Sequence, residues 1–172
     1  MTAVSSVFQR ILEWATIFLM VVLTVIVLIA VIYRIAGNSL SWYDEIASIL
    51  LSWITYYGAA LAALKRRHIG FDGVILHLPI PARKFGVIMA EILVIGFFLL
   101  LAWAGFEILA VLEGDTLVSL TWMPVQITQS VIPIGALLFI FAELLSLPAY
   151  WHAVMNGISL EHGDHAEEPS GV

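Results

Sequence analysis

The sequence contains no cysteine. That one absence excludes disulfides, thiolate metal sites, iron–sulfur ligation and thioether haem attachment. Charge is scarce too: Asp, Glu, Lys and Arg make up 12% of 172 residues, against about 25% in a soluble domain. The histidines all lie outside the long apolar runs, so no pair of imidazoles is placed to hold a buried haem. His162 and His165, in the polar tail, are read as solvated rather than metal-binding. There is no nucleophile elbow, Walker lysine, HExxH or Gly-rich phosphate loop, and so no sign of an enzyme. No basic patch is interleaved with aromatics, so nucleic acid is not an expected partner. No cofactor is expected.

Hydrophobic residues, by contrast, are 62% of the chain, and mean hydropathy is +1.02. Uncharged runs cover 14–33, 46–64, 92–106 and 116–142. A helix crossing a hydrocarbon core of roughly 30 Å needs about 20 apolar residues. Three of the runs are long enough alone, and the third is long enough if it extends back through Glu91 to Phe85. The fold expected is an all-α integral membrane protein with four transmembrane helices, at about 11–33, 45–65, 85–107 and 123–147. Residues 1–155 form one membrane domain on this reading, and 156–172 a disordered polar tail. The first run is too long for the 7–15 residues of a signal-peptide core, so it is read as a retained helix.

Lysine and arginine in short loops set orientation. Arg10 precedes the first helix, Arg34 alone lies between the first and second, and Lys65, Arg66, Arg67, Arg83 and Lys84 lie between the second and third. No Lys or Arg follows. Both termini are therefore expected in the cytoplasm. Trp14, Tyr150 and Trp151 then fall near the inner interface, and Trp42, Tyr43 and Trp122 near the outer one, where amphipathic rings settle. The segment 68–81, broken by Gly70, Asp72-Gly73, Pro79 and Pro81, is too short to span and is expected to lie along the cytoplasmic interface.

The second helix is closed by Asp44 and Glu45 at one end and by Lys65, Arg66 and Arg67 at the other. Acids suit a helix's positive N-terminal end and bases its negative C-terminal end, and Ser41 with Asp44 has the spacing of a capping box. Capping and topology account for these charges. Between them, Ser48, Ser52, Thr55, Ala59 and Ala62 make a small-residue stripe, with Gly58 near its edge and Trp53, Tyr57 and Leu61 on a bulkier neighbouring face. Small residues let helix backbones approach in a membrane, where apolarity alone gives no association force. The stripe is built for protein, either this chain or another.

Glu91 and Glu143 are the intramembrane carboxylates. Glu91 follows Lys84 by seven residues, ~10 Å of helix rise, and both acids fall in the inner half. Such a charge costs about 2.5 kcal/mol or more, so it is usually paired or functional. A structural partnership with Arg83, Lys84 or another subunit's base is the preferred reading; a proton or cation site is the other.

The second helix and the loop after it carry a further pattern. Trp42, Asp44 and Glu45 open the helix. Trp53 and Gly58-Ala59-Ala60 lie within it, and Arg66, Arg67, His68, Ile69 and Asp72 follow, with Leu78-Pro79 beyond. Met123-Pro124 and Ile132-Pro133-Ile134-Gly135 come later. This resembles the small membrane subunit, DctQ-like, of tripartite ATP-independent periplasmic (TRAP) transporters of the bacterial inner membrane. Asp44 stands where glutamate is commoner in that family. The resemblance implies a secondary-active organic-acid transporter with three components. A periplasmic binding protein captures substrate, and a large multi-helix subunit carries it, with sodium coupling residing there. The small subunit serves as static scaffold. Asp44, Glu45, Ser48, Ser52, Trp53, Gly58, Ala59, Arg66, Arg67, His68 and Asp72 would then mark a partner or lipid interface. The rival is a homodimeric small exporter working through Glu91, although its first helix lacks the carboxylate such exporters share.

Overall fold

The computed structural model describes residues 3–65 and 79–156. Its helices are α1 (Ala3–Ile35), α2 (Tyr43–Leu64), α3 (Ile80–Val111), α4 (Val125–Gln129) and α5 (Val131–Met155). Four stretches are long and apolar enough to cross a membrane: α1, α2, α3, and α4 with α5 taken together. Among the described residues the only β pairing is an isolated bridge between Thr116 and Pro124. Helices dominate because hydrocarbon offers no partners to backbone N–H and C=O groups, so each span must satisfy its own.

The helices run past the charge-free stretches that announce them. α1 begins ahead of Gln9, Arg10 and Glu13, none of which breaks a helix. It ends where Gly37 takes φ +83°, with Gly37 N donating to Arg34 O (3.1 Å) and Asn38 N to Tyr33 O (3.0 Å). This is the paired closure that a left-handed glycine after a helix allows. α3 starts at Ile80 rather than near residue 85. Pro79 is its N-cap and Pro81 lies in its first turn, where a missing N–H costs nothing. The prolines read as breakers thus begin a helix. With 33 and 32 residues, α1 and α3 are each about 50 Å long, well beyond the roughly 30 Å hydrocarbon core.

The fourth span is divided. Pro133 has no N–H to give Gln129, and α4 and α5 meet at Ser130. Its hydroxyl bonds Ile127 O at 2.7 Å. The capping box expected at Ser41 and Asp44 does not form. Trp42 is the N-cap of α2, in a helical conformation and with no side-chain cap bond. Ser41 therefore stands one residue outside the helix. Asp44 and Glu45 do occupy the first turn, as the helix dipole favours.

In space the order is α1, α2, α5, α3: α2 packs on α1 and α5, and α5 on α2 and α3. Leu12, Ala60, Ala63, Leu64, Phe139 and Ala142 form the buried cluster, where α1, α2 and α5 meet. Phe98 of α3 stacks on Phe139 with ring centroids 3.7 Å apart. Glycine decides how closely α5 can approach its neighbours. A Cβ on Gly135 would fall 2.6 Å from Tyr56 Cβ, and one on Gly105 would fall 2.8 Å from Pro133 Cδ. Gly58 and Gly96, by contrast, have nothing within 4 Å of that position.

Gly135→Ala should therefore lower the thermal midpoint of the purified protein, since overpacking a well-filled contact costs about 1–3 kcal/mol. Gly58→Ala should leave it unchanged or raise it, because alanine in a helix gains roughly 0.5–1 kcal/mol over glycine where space is open. Thermal unfolding of the two variants in one detergent checks the contrast.

Candidate functional site: the open face and the two ends of the second helix

The hydroxyl-bearing part of the predicted small-residue stripe does not face this chain's other helices, whereas Ala59 packs against the core cluster. Ser48, Ser52 and Thr55 are exposed, and Ala59 is half-buried. Each hydroxyl turns back on its own helix: Ser48 to Asp44 O (2.8 Å), Ser52 to Ser48 O (2.9 Å) and Thr55 to Leu51 O (2.8 Å). Such back-bonding satisfies a hydroxyl where no water is at hand. The inward face of α2 is carried by Tyr56, Ala60, Ala63 and Leu64 instead. Of Gly58-Ala59-Ala60, only Ala60 is fully buried. Trp53 packs edge-on against Tyr57, centroids 5.5 Å apart, and braces the side of the open face.

That face differs chemically from the rest of the surface. Phe18 on α1 and Leu93, Phe97 and Trp103 on α3 are each more than half exposed, as befits contact with lipid tails. α2 shows serine and threonine there and has the lowest mean hydropathy of the four spans.

Both ends of α2 are tied by side chains. At the basic end Lys65 Nζ lies 2.6 Å from Glu13 Oε1 on α1, and Gln9 Nε2 donates to the same oxygen at 2.9 Å. At the opposite end Glu45 receives the backbone N–H of Ser119 (3.1 Å) and also its hydroxyl. Ser119 belongs to a short hairpin after α3, closed by Leu117 N to Met123 O (3.1 Å) and Val125 N to Asp115 O (3.0 Å). Glu45 therefore holds the α3–α4 connection onto the start of α2, while Asp44 stays exposed.

Two further bonds fasten α3. Arg83 Nη1 donates to Val154 O at 2.9 Å, a carbonyl in the last turn of α5, where a cation suits the dipole. Gln126 Nε2 donates to Leu109 O at 2.9 Å. Glu91 and Glu143 are both buried, on the facing helices α3 and α5. Among the described residues no three His, Asp or Glu side chains gather into a metal site. Arg66, Arg67, His68 and Asp72, the interfacial segment and the polar tail from 157 onward lie outside the described residues.

Sequence reasoning missed Glu13 and Ser119. Glu13 had a faint signal, as an acid immediately before the uncharged run 14–33, at the same edge where Lys65 closes the run 46–64. Ser119 had none, because its role depends on where the hairpin falls relative to α2.

The family model described as "Tripartite ATP-independent periplasmic transporters, DctQ component" matches residues 23–149. The chain is also similar to the C4-dicarboxylate TRAP transporter small permease protein DctQ of Rhodobacter capsulatus. The two are 28% identical over 138 residues, covering 73% of this chain and 60% of that protein. The chain thus spans about three fifths of the length of that relative.

Removing the acceptor at position 45 should loosen the hairpin. Glu45→Ala is expected to speed amide exchange at 117–123, with α5 protected as before. Hydrogen exchange read by mass spectrometry checks it.

Proposed function

The chain belongs to the DctQ component family of tripartite ATP-independent periplasmic transporters, and we propose that it serves such a transporter as a fixed scaffold for a large multi-helix membrane subunit. It is a multi-pass inner-membrane protein, and its family is a transport component rather than an enzyme class. The carrying observation is the open face of α2. Exposed Ser48, Ser52 and Thr55 on the least apolar span suit a neighbouring protein helix better than lipid tails. Tethers at both ends of α2 support this reading, since they hold that face still while a partner moves.

On this proposal substrate and sodium bind in the large subunit, and a periplasmic substrate-binding protein delivers the cargo. The relative's name points to C4-dicarboxylates as the organic-acid class. The basic end faces the cytoplasm, by the distribution of Lys and Arg. On this proposal Asp44, Glu45, His68 and Asp72 would belong to the contact with the partner or with lipid headgroups. The exporter reading through Glu91 loses ground to family membership.

Co-expression with the large subunit tests the central part. Leucine at Ser48, Ser52 and Thr55 together should leave this chain folded, because those positions are open. It should weaken association by overpacking, at a cost of about 1–3 kcal/mol. Tenfold less co-purified partner corresponds to about 1.4 kcal/mol. Undiminished recovery would remove the face from the interface. Charge-neutral substitution at Asp44, Glu45, His68 and Asp72 with assembly and uptake both intact would remove those residues from it.

A further inference from the structure

α3 and α5 line a groove to which α2 contributes no residue. It has a volume of about 490 Å³, with Val87, Ile88, Ile92 and Leu99 on one wall and Leu147 and Trp151 on the other. Glu91 also lines it but is only 9% exposed, so an occupant meets chiefly apolar side chains. Gly96 opens it further, since a Cβ there would touch nothing within 4 Å.

We propose that this groove seats one acyl chain of a phospholipid from the leaflet at the basic end, with the lipid phosphate at Lys84. Five observations select that occupant. From Val87 to Leu99 the groove follows α3 for ~18 Å, close to the roughly 15 Å depth of one leaflet's hydrocarbon. Lys84 is exposed and stands one turn before Ile88 on the same helix face. It gives the mouth a charge opposite to a phosphate. Trp151 stands on the far wall near the end of α5, where an indole meets the headgroup region. The walls are large and branched, whereas a surface that receives another membrane helix is rich in small residues. The groove also merges with surface already turned to lipid, since Ile92 and Leu99 are more than half exposed. The proposal concerns a different face from the α2 interface and stands apart from it.

The test is native mass spectrometry of the full chain, with any subunits that remain bound, released from nanodiscs of phosphatidylethanolamine and phosphatidylglycerol in equal amounts. The wild type should retain a phospholipid. Gly96→Phe fills the groove and Lys84→Gln removes the charge; each should lower the retained fraction about fivefold or more. Leu93→Phe, on an exposed part of α3 outside the groove, should leave it unchanged. A thermal midpoint equal to wild type shows that each variant is folded. Retention in Gly96→Phe, or equal loss in Leu93→Phe, would overturn the proposal. So would efficient cross-linking of Leu99→Cys, the sole thiol in its chain, to a second copy or to another membrane protein.

Discussion

The close approach of α5 to its two neighbours is the contact on which the rest of the structure depends. Lipid tails are as apolar as the helices, so burial of apolar surface gives no net force between spans; packing and polar bonds must supply it. Gly135 lets the Tyr56 side chain lie directly on the α5 backbone, and Gly105 lets α3 settle on Pro133. From these contacts follows the order α1, α2, α5, α3, in which the two middle helices hold the two outer ones.

Polar bonds then fix the ends that packing leaves free. Glu13 and Lys65 join α1 to α2 at the basic end, and Arg83 joins the start of α3 to the last turn of α5. At the other end Glu45 pins the hairpin that carries Ser119. Each bond links elements far apart in sequence. Together they fasten the row of spans at both ends.

Composition alone made the number and approximate place of the spans legible, because a charge-free run of that length has few alternatives. Helix ends were less legible. Pro79 and Pro81 look like breakers in sequence, yet the first turn of a helix accepts proline, and α3 begins there. Ser41 and Asp44 matched a cap by spacing, but the helix starts one residue too late for Ser41 to serve. The stripe on α2 was visible as a pattern, while its direction was not, since facing depends on which side Ala60, Ala63 and Tyr56 pack. Ser119 was beyond sequence reasoning, as its partner Glu45 is brought to it only by the completed fold.

The surface that results is chemically uneven: phenylalanine, leucine and tryptophan dominate α1 and α3, where Thr24 is an exposed hydroxyl on α1, while α2 carries a row of three. That unevenness is the physical basis for assigning α2 to protein contact and the outer helices to lipid. A photo-cross-linking residue placed at Ser52, and in a second variant at Phe97, tests it in native membranes. The account predicts capture of one large multi-helix membrane protein from position 52 and of lipid alone from position 97. Lipid alone at position 52, or the same protein captured from both positions, would contradict it.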